Sequence, residues 1–128
     1  MIAVDTSALM AVLLGEPTAD AISDALADAD ALVISAGTVA EALIVAARRG
    51  VGEEMGRLLG ELGFEVAPVS DAAARRVAAA YDKWGRGVHP AGLNFGDCFP
   101  YALAQERGVP LLYVGGDFER TDLAAALT

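Results

Sequence analysis

The chain has one cysteine and one histidine in 128 residues. The single cysteine, Cys98, excludes an internal disulfide and any zinc cage built on thiolates, and it reads as a small core residue. The single histidine, His89, is the one partner available to a serine nucleophile, and it lies in a glycine-rich stretch. Positive charge is scarce as well. Nine Lys and Arg stand against 18 Asp and Glu, for a net charge of −9. That is the reverse of what a simple electrostatic binder of nucleic acid carries. A bound metal or a local arginine patch can reverse the sign where it matters, so a nuclease survives this test. No apolar run is long enough to span a bilayer, and no charged start leads into a secretory segment. The expectation is a cytoplasmic protein with no membrane partner. The phosphate loop G-x-x-x-x-G-K-[ST] and the elbow G-x-S-x-G are both missing, which removes the usual signatures of NTPases and of α/β-hydrolases.

What is present is apolar and alternating. Hydrophobic residues make up 55% of the chain, enough for residues 1–128 to fold as one domain with a real core. Short apolar runs at Ile2 to Val4, Leu32 to Ile34, Phe64 to Val66 and Leu111 to Val114 predict strands. Between them, helical periodicity runs over Ser7 to Leu14, from Thr18 as cap to about Ala29, and over Thr38 to Arg49, Val51 to Leu62, Ser70 as cap to about Trp84, and near Asn94 to Arg107. In the helix capped by Ser70, the residues Ala73, Val77, Ala80, Tyr81 and Trp84 are spaced for burial. Gly85 to Gly92 reads as a loop. Pro100 is tolerated only in a first helical turn, so its helix is expected to begin close to Asp97. The acids Asp20, Asp24, Asp28 and Asp30 read as a solvated helix face. Alternating strands and helices predict a three-layer α/β/α fold with a central, mostly parallel sheet.

Four other acids stand at element ends. Asp5 follows the first strand, Glu41 lies early in a helix, Asp97 is at a helix start, and Asp117 follows the last strand. Each has an ordinary explanation. Asp5 can cap a helix, Glu41 can close a capping box with Thr38, Asp97 can favour a helix dipole, and Asp117 suits a Gly-Gly-Asp turn. Together they fall where parallel α/β sheets carry their sites, at the carboxyl edge of the strands. Clustered carboxylates raise one another's pKa unless a cation neutralises them. Mg²⁺ is the hard ion that selects such oxygen ligands, with Mn²⁺ as its substitute. A site of that kind activates water and stabilises a leaving oxygen in phosphodiester hydrolysis.

The segments Met1–Leu9 (MIAVDTSAL), Ile34–Glu41 (ISAGTVAE), His89–Cys98 (HPAGLNFGDC) and Leu111–Asp122 (LLYVGGDFERTD) together resemble a PIN-domain ribonuclease, specifically a VapC-type toxin of a type II toxin–antitoxin system. The resemblance spans nearly the whole chain in family order. It implies a metal-dependent endoribonuclease that cleaves cellular RNA, a homodimer, and a cognate VapB-type antitoxin that blocks the site. It also implies that Asp5 and Asp97 are direct metal ligands, that Glu41 binds or orients a metal water, and that Asp117 completes the cluster. Thr6 or Ser7 would hydrogen-bond within the site, and Asn94 would support Asp97. The family often has two consecutive Asp or Asn residues before the Phe of its fourth motif. Here Gly116-Asp117 stands there, so Asp122 is kept as a second candidate contributor. RNA is expected to approach over Arg48-Arg49, Arg75-Arg76, Lys83 and Arg86, with Arg86 and His89 touching substrate. The alternative is a catalytically silent PIN-like or receiver-like interaction module.

Overall fold

In the strands nearly every side chain is apolar, and successive positions feed opposite cores, as the pleat requires. The computed structural model describes residues 1–127. It contains β1 (Ile2–Val4), α1 (Thr6–Leu13), α2 (Ala19–Asp28), β2 (Leu32–Ser35), α3 (Ala36–Arg48), α4 (Gly52–Glu61), β3 (Glu65–Ala67), α5 (Asp71–Trp84), α6 (Phe95–Arg107) and β4 (Leu111–Leu112). The sheet order is β3-β2-β1-β4, and every pairing is parallel. Ala3, Val33 and Leu111 enter one core with Tyr101, Leu103 and Phe118. Their neighbours Val4, Ile34 and Leu112 enter the other, with Leu9, Ile22, Ala42 and Met55. Helices α5 and α6 cover the first face and α1 to α4 the second, so the fold is the expected three-layer α/β/α. Among the described residues no helix is long and apolar enough to cross a membrane.

The differences from the sequence reading are local. Helix α3 starts at Ala36 rather than Thr38, because Ser35 caps it by accepting the Gly37 N–H at 3.1 Å. The Thr38–Glu41 capping box is therefore not formed. Thr38 is fully buried, and its hydroxyl is without a hydrogen-bond partner. Thr18 stands before α2 in helical backbone conformation and makes no side-chain cap. Strand β4 stops at Leu112, since the Val114 N–H leaves the ladder for a side chain. Tyr81 is exposed, not buried. Helix α6 begins at Phe95, so Pro100 is inside it, beyond the first turn. The Asn94–Asp97 capping box sets that start, and the proline forgoes the hydrogen bond it would otherwise make to the Gly96 carbonyl.

Candidate active site

The first carboxylate is fixed at the moment the chain leaves β1. Asp5 caps α1: its Oδ2 accepts the Ser7 N–H at 3.1 Å and the Ser7 hydroxyl at 2.6 Å. The Ser7 Oγ in turn accepts the Val114 N–H at 3.0 Å, which ties α1 to the backbone just beyond β4. The neighbouring Thr6 hydroxyl donates to Glu41 Oε1 at 2.6 Å and holds the α3 carboxylate against the start of α1. On the third side, Asn94 and Asp97 cap α6 reciprocally. Asn94 Oδ1 accepts the Asp97 N–H at 2.9 Å, and Asp97 Oδ2 accepts the Asn94 N–H at 3.1 Å. Gly96 sits directly beneath Glu41, so that a Cβ at this position would overlap the Glu41 carboxylate. Beyond β4, Gly115 takes a left-handed φ of +98° and leads into the exposed Asp117.

Electrostatics join these acids into one cluster. Asp97 is pushed up to about 7, chiefly by burial and then by the negative charges of Asp5, Asp117 and Glu41, against the lowering effect of its Asn94 backbone bond. Asp5 rises to about 6, again chiefly by burial and further by Glu41, although both Ser7 bonds oppose the rise. None of the ion pairs among the described residues involves Asp5, Glu41, Asp97 or Asp117. Two buried carboxylates thus lie within electrostatic reach of two more, and none of the four has an ion-pair partner among the described residues. Oxygen donors of this type are the ones a hard cation selects. Among the described residues no group of three or more His, Cys, Asp or Glu side chains is close enough to hold a metal ion. A cation here would therefore keep several waters and take only one or two carboxylates directly, as Mg²⁺ does.

The remaining candidates fall elsewhere. Asp122 accepts the Tyr101 hydroxyl at 2.7 Å, and Tyr101 accepts Trp84 Nε1–H at 2.7 Å. Asp122 is not among the charges acting on Asp97. His89 folds back on its own loop: its Nδ1 accepts the Ala91 N–H at 3.0 Å, and its ring packs edge-on to Trp84 at 4.7 Å. Arg86 is exposed and lines a cavity between α5 and the start of α6. Of the other basic residues, Arg75 and Arg76 pair with Asp71 and Glu106, while Lys83 lies 5.1 Å over the Trp84 ring. Sequence reasoning missed Gly96, whose role is to have no side chain. It also missed the Trp84–Tyr101–Asp122 link, which joins residues too far apart in sequence to leave a local pattern.

The sheet is parallel in the order β3-β2-β1-β4, and Asp5 follows the carboxyl end of β1 while Asp117 lies beyond that of β4. The family model described as PIN domain matches residues 2–123, and the chain belongs to that family. Within it the chain is similar to ribonuclease VapC28 of Mycobacterium tuberculosis, 45% identical over 128 residues and covering 97% of this chain and 96% of that one. Among solved structures, the fold is that of M. tuberculosis VapC20, described as a sarcin–ricin loop cleaving toxin. The TM-score is 0.80 at 16% identity, over 97% of both chains. A toxin–antitoxin complex from Klebsiella pneumoniae is similar with a TM-score of 0.71 at 20% identity, over 95% of this chain and 93% of that one.

Proposed function

We propose that the chain is a Mg²⁺- or Mn²⁺-dependent endoribonuclease toxin of the VapC type, restrained by a cognate antitoxin. The observation that carries this reading is the pair of buried, raised-pKa acids, Asp5 and Asp97, ringed by Glu41 and Asp117 with no cationic side chain among them. In this reading Asp5 and Asp97 hold the cation, Glu41 orients a bound water, and Asp117 extends the negative ring towards solvent. The cation, when bound, activates water and neutralises charge on the leaving oxygen of the phosphodiester. The chain's own contribution is placement. Ser7 fixes Asp5, Thr6 fixes Glu41, and the Asn94 cap fixes Asp97, so the oxygens are arranged before substrate arrives. Asp97 gives up its proton as the cation binds, which makes binding stronger above neutral pH.

The test is cleavage of total RNA by the purified chain with and without EDTA, beside Asp5→Asn and Asp97→Asn. Both substitutions keep the shape of the side chain and remove its charge. Cleavage is expected to fall at least about a hundredfold with either substitution and to stop in EDTA. Undiminished cleavage in both variants would refute the assignment, and metal binding without cleavage would favour a silent PIN domain.

The same acids suit an antitoxin that presents arginine to the ring by charge-assisted hydrogen bonds. Replacing each antitoxin arginine in turn and measuring affinity tests this; no loss for any of them would sink it. A homodimer in the cytoplasm completes the proposal. Exposed Leu43 and Ile44 on α3 offer it an apolar face, and light scattering of the purified chain gives the mass that decides it.

A further inference from the structure

Phe95 and Tyr81 are the only exposed aromatic side chains among the described residues, with exposures of 71% and 38%, and both line the same cavity. That cavity has a volume of about 570 Å³ and lies between α5 and the first turn of α6. Its apolar lining includes the buried Val77 and Cys98 and the exposed Ala78. Polar groups stand at its margin: Arg86, Asp82 and Asn94. Asn94 is the residue that caps α6 and bonds to Asp97, so the cavity adjoins the cap that carries this acid.

The walls are held in place. Gly85 packs beneath the Tyr81 ring so closely that an added Cβ would lie 2.9 Å from two ring carbons, and the ring occupies the space a side chain would take. The Arg86 N–H bonds to the Leu93 carbonyl at 3.0 Å, and the Leu93 N–H bonds to the Trp84 carbonyl at 3.0 Å. This short parallel ladder sets the backbone of Arg86 alongside that of Asn94. Arg86 takes no part in the ion pairs among the described residues, unlike Arg57, Arg75, Arg76 and Arg107. Phe95 meets Phe99 edge-on at 5.0 Å, which steadies its ring without covering it.

We infer that this cavity is a nucleobase subsite of the nuclease: one unpaired base of the RNA, next to the bond to be cut, stacks on Phe95 and Tyr81, while Arg86 engages its phosphate. The inference rests on the ribonuclease reading and adds the position and chemistry of a substrate contact. Aromatic faces accept any base by stacking, and unpaired RNA is the form that offers them. The Asp82 carboxylate accepts N–H donors from the base edge. In a chain of net charge −9, a guanidinium that joins none of these ion pairs and lines the same cavity as Asn94 is placed for a phosphate. An apolar protein side chain would also fill such a hole. Two exposed rings and an unpaired arginine together favour a nucleotide.

The experiment uses the full chain and an oligoribonucleotide spanning a mapped cut, with each nucleotide flanking the cut made abasic in turn. Phe95→Ala and Tyr81→Ala are expected to raise KM on intact RNA about ten- to a hundredfold. At the one position where the base binds, the abasic RNA should be equally poor for parent and variants. Phe95→Trp should restore KM. A loss equal at every abasic position, or one that tracks dissociation of a dimer in light scattering, overturns the inference. A second measurement separates it from the ribonuclease reading itself: titration with the four nucleoside monophosphates, followed by NMR of the Ala78 methyl group. If the parent cleaves no RNA, that reading fails. Shifts at Ala78 that Phe95→Ala abolishes would still uphold base binding, and no shift with any nucleotide overturns it and leaves the cavity to a protein partner such as an antitoxin side chain.

Discussion

Without a bound cation this protein should lose stability as pH rises, the reverse of ordinary acid denaturation. Burial, and then the neighbouring carboxylates, push Asp97 up to about 7 in the folded chain and Asp5 up to about 6, against an ordinary value of 3.8 for both. The unfolded chain releases these protons near the ordinary value, while the folded chain keeps them until its own higher value. Between those limits the native state binds more protons, so stability falls with rising pH. Each group loses about 1.4 kcal/mol per pH unit across its window. The two acids raise one another and solvent screens part of each shift, so the sum over the two windows is roughly halved. A combined loss on the order of 3 to 5 kcal/mol from about pH 4 to about pH 8 follows. For a domain of this size that is roughly 10 to 20 °C in Tm. Asp30 and Glu65 are held below their ordinary values by the N-terminal ammonium and by Arg107, and they work in the opposite sense only in more acid solution. The assay is thermal unfolding in EDTA across that range, repeated with excess Mg²⁺ or Mn²⁺, for the parent and Asp97→Asn. The cation should raise Tm more at high pH than at low, and the variant should flatten the EDTA curve. A parent Tm that is level or rising towards pH 8 in EDTA, or an unchanged slope in the variant, would refute the reasoning.

Three smaller perturbations probe the scaffold. Gly96→Ala should displace the Glu41 carboxylate from Thr6 and cut cleavage about 10- to 100-fold. Because that carboxylate ends a flexible side chain, unfolding by urea should change by less than about 1 kcal/mol. Ser7→Ala should leave the Val114 N–H unpaired, costing about 1–3 kcal/mol in urea unfolding. It should also remove a bond that lowers the Asp5 pKa, shifting the rising limb of the cleavage–pH profile to higher pH. Tyr101→Phe should break the Trp84–Tyr101–Asp122 chain, cost about 1–3 kcal/mol, and alter Trp84 fluorescence.

The layer order is readable because strands and helices alternate in apolar pattern, and the four acids stand out because each follows or opens an element. The starts of helices were harder. Thr38 looked like a cap because Glu41 follows it by three, but Ser35 sits closer to the end of β2 and wins the position. Pro100 misled in the same way. The capping box from Asn94 to Asp97 outweighs one missing backbone bond, so the helix starts where Asn94 can close it. Tyr81 shows the limit of periodicity. Its spacing matches the buried stripe of α5, yet the ring lies over Gly85 beside an open cavity. The resemblance to VapC-type toxins carried the functional reading further than spacing did, and the family match over residues 2–123 agrees with it.

The Ser7–Val114 bond spans 107 residues. No local fragment can make it, because the backbone beyond β4 must dock on α1 before the Ser7 hydroxyl finds that partner. Closing a loop of this length carries a large entropy cost and is repaid only when the whole sheet has assembled. The hydroxyl that fixes Asp5 is thus itself fixed by a contact between distant parts of the chain, so Asp5 takes its final position together with the fold rather than ahead of it.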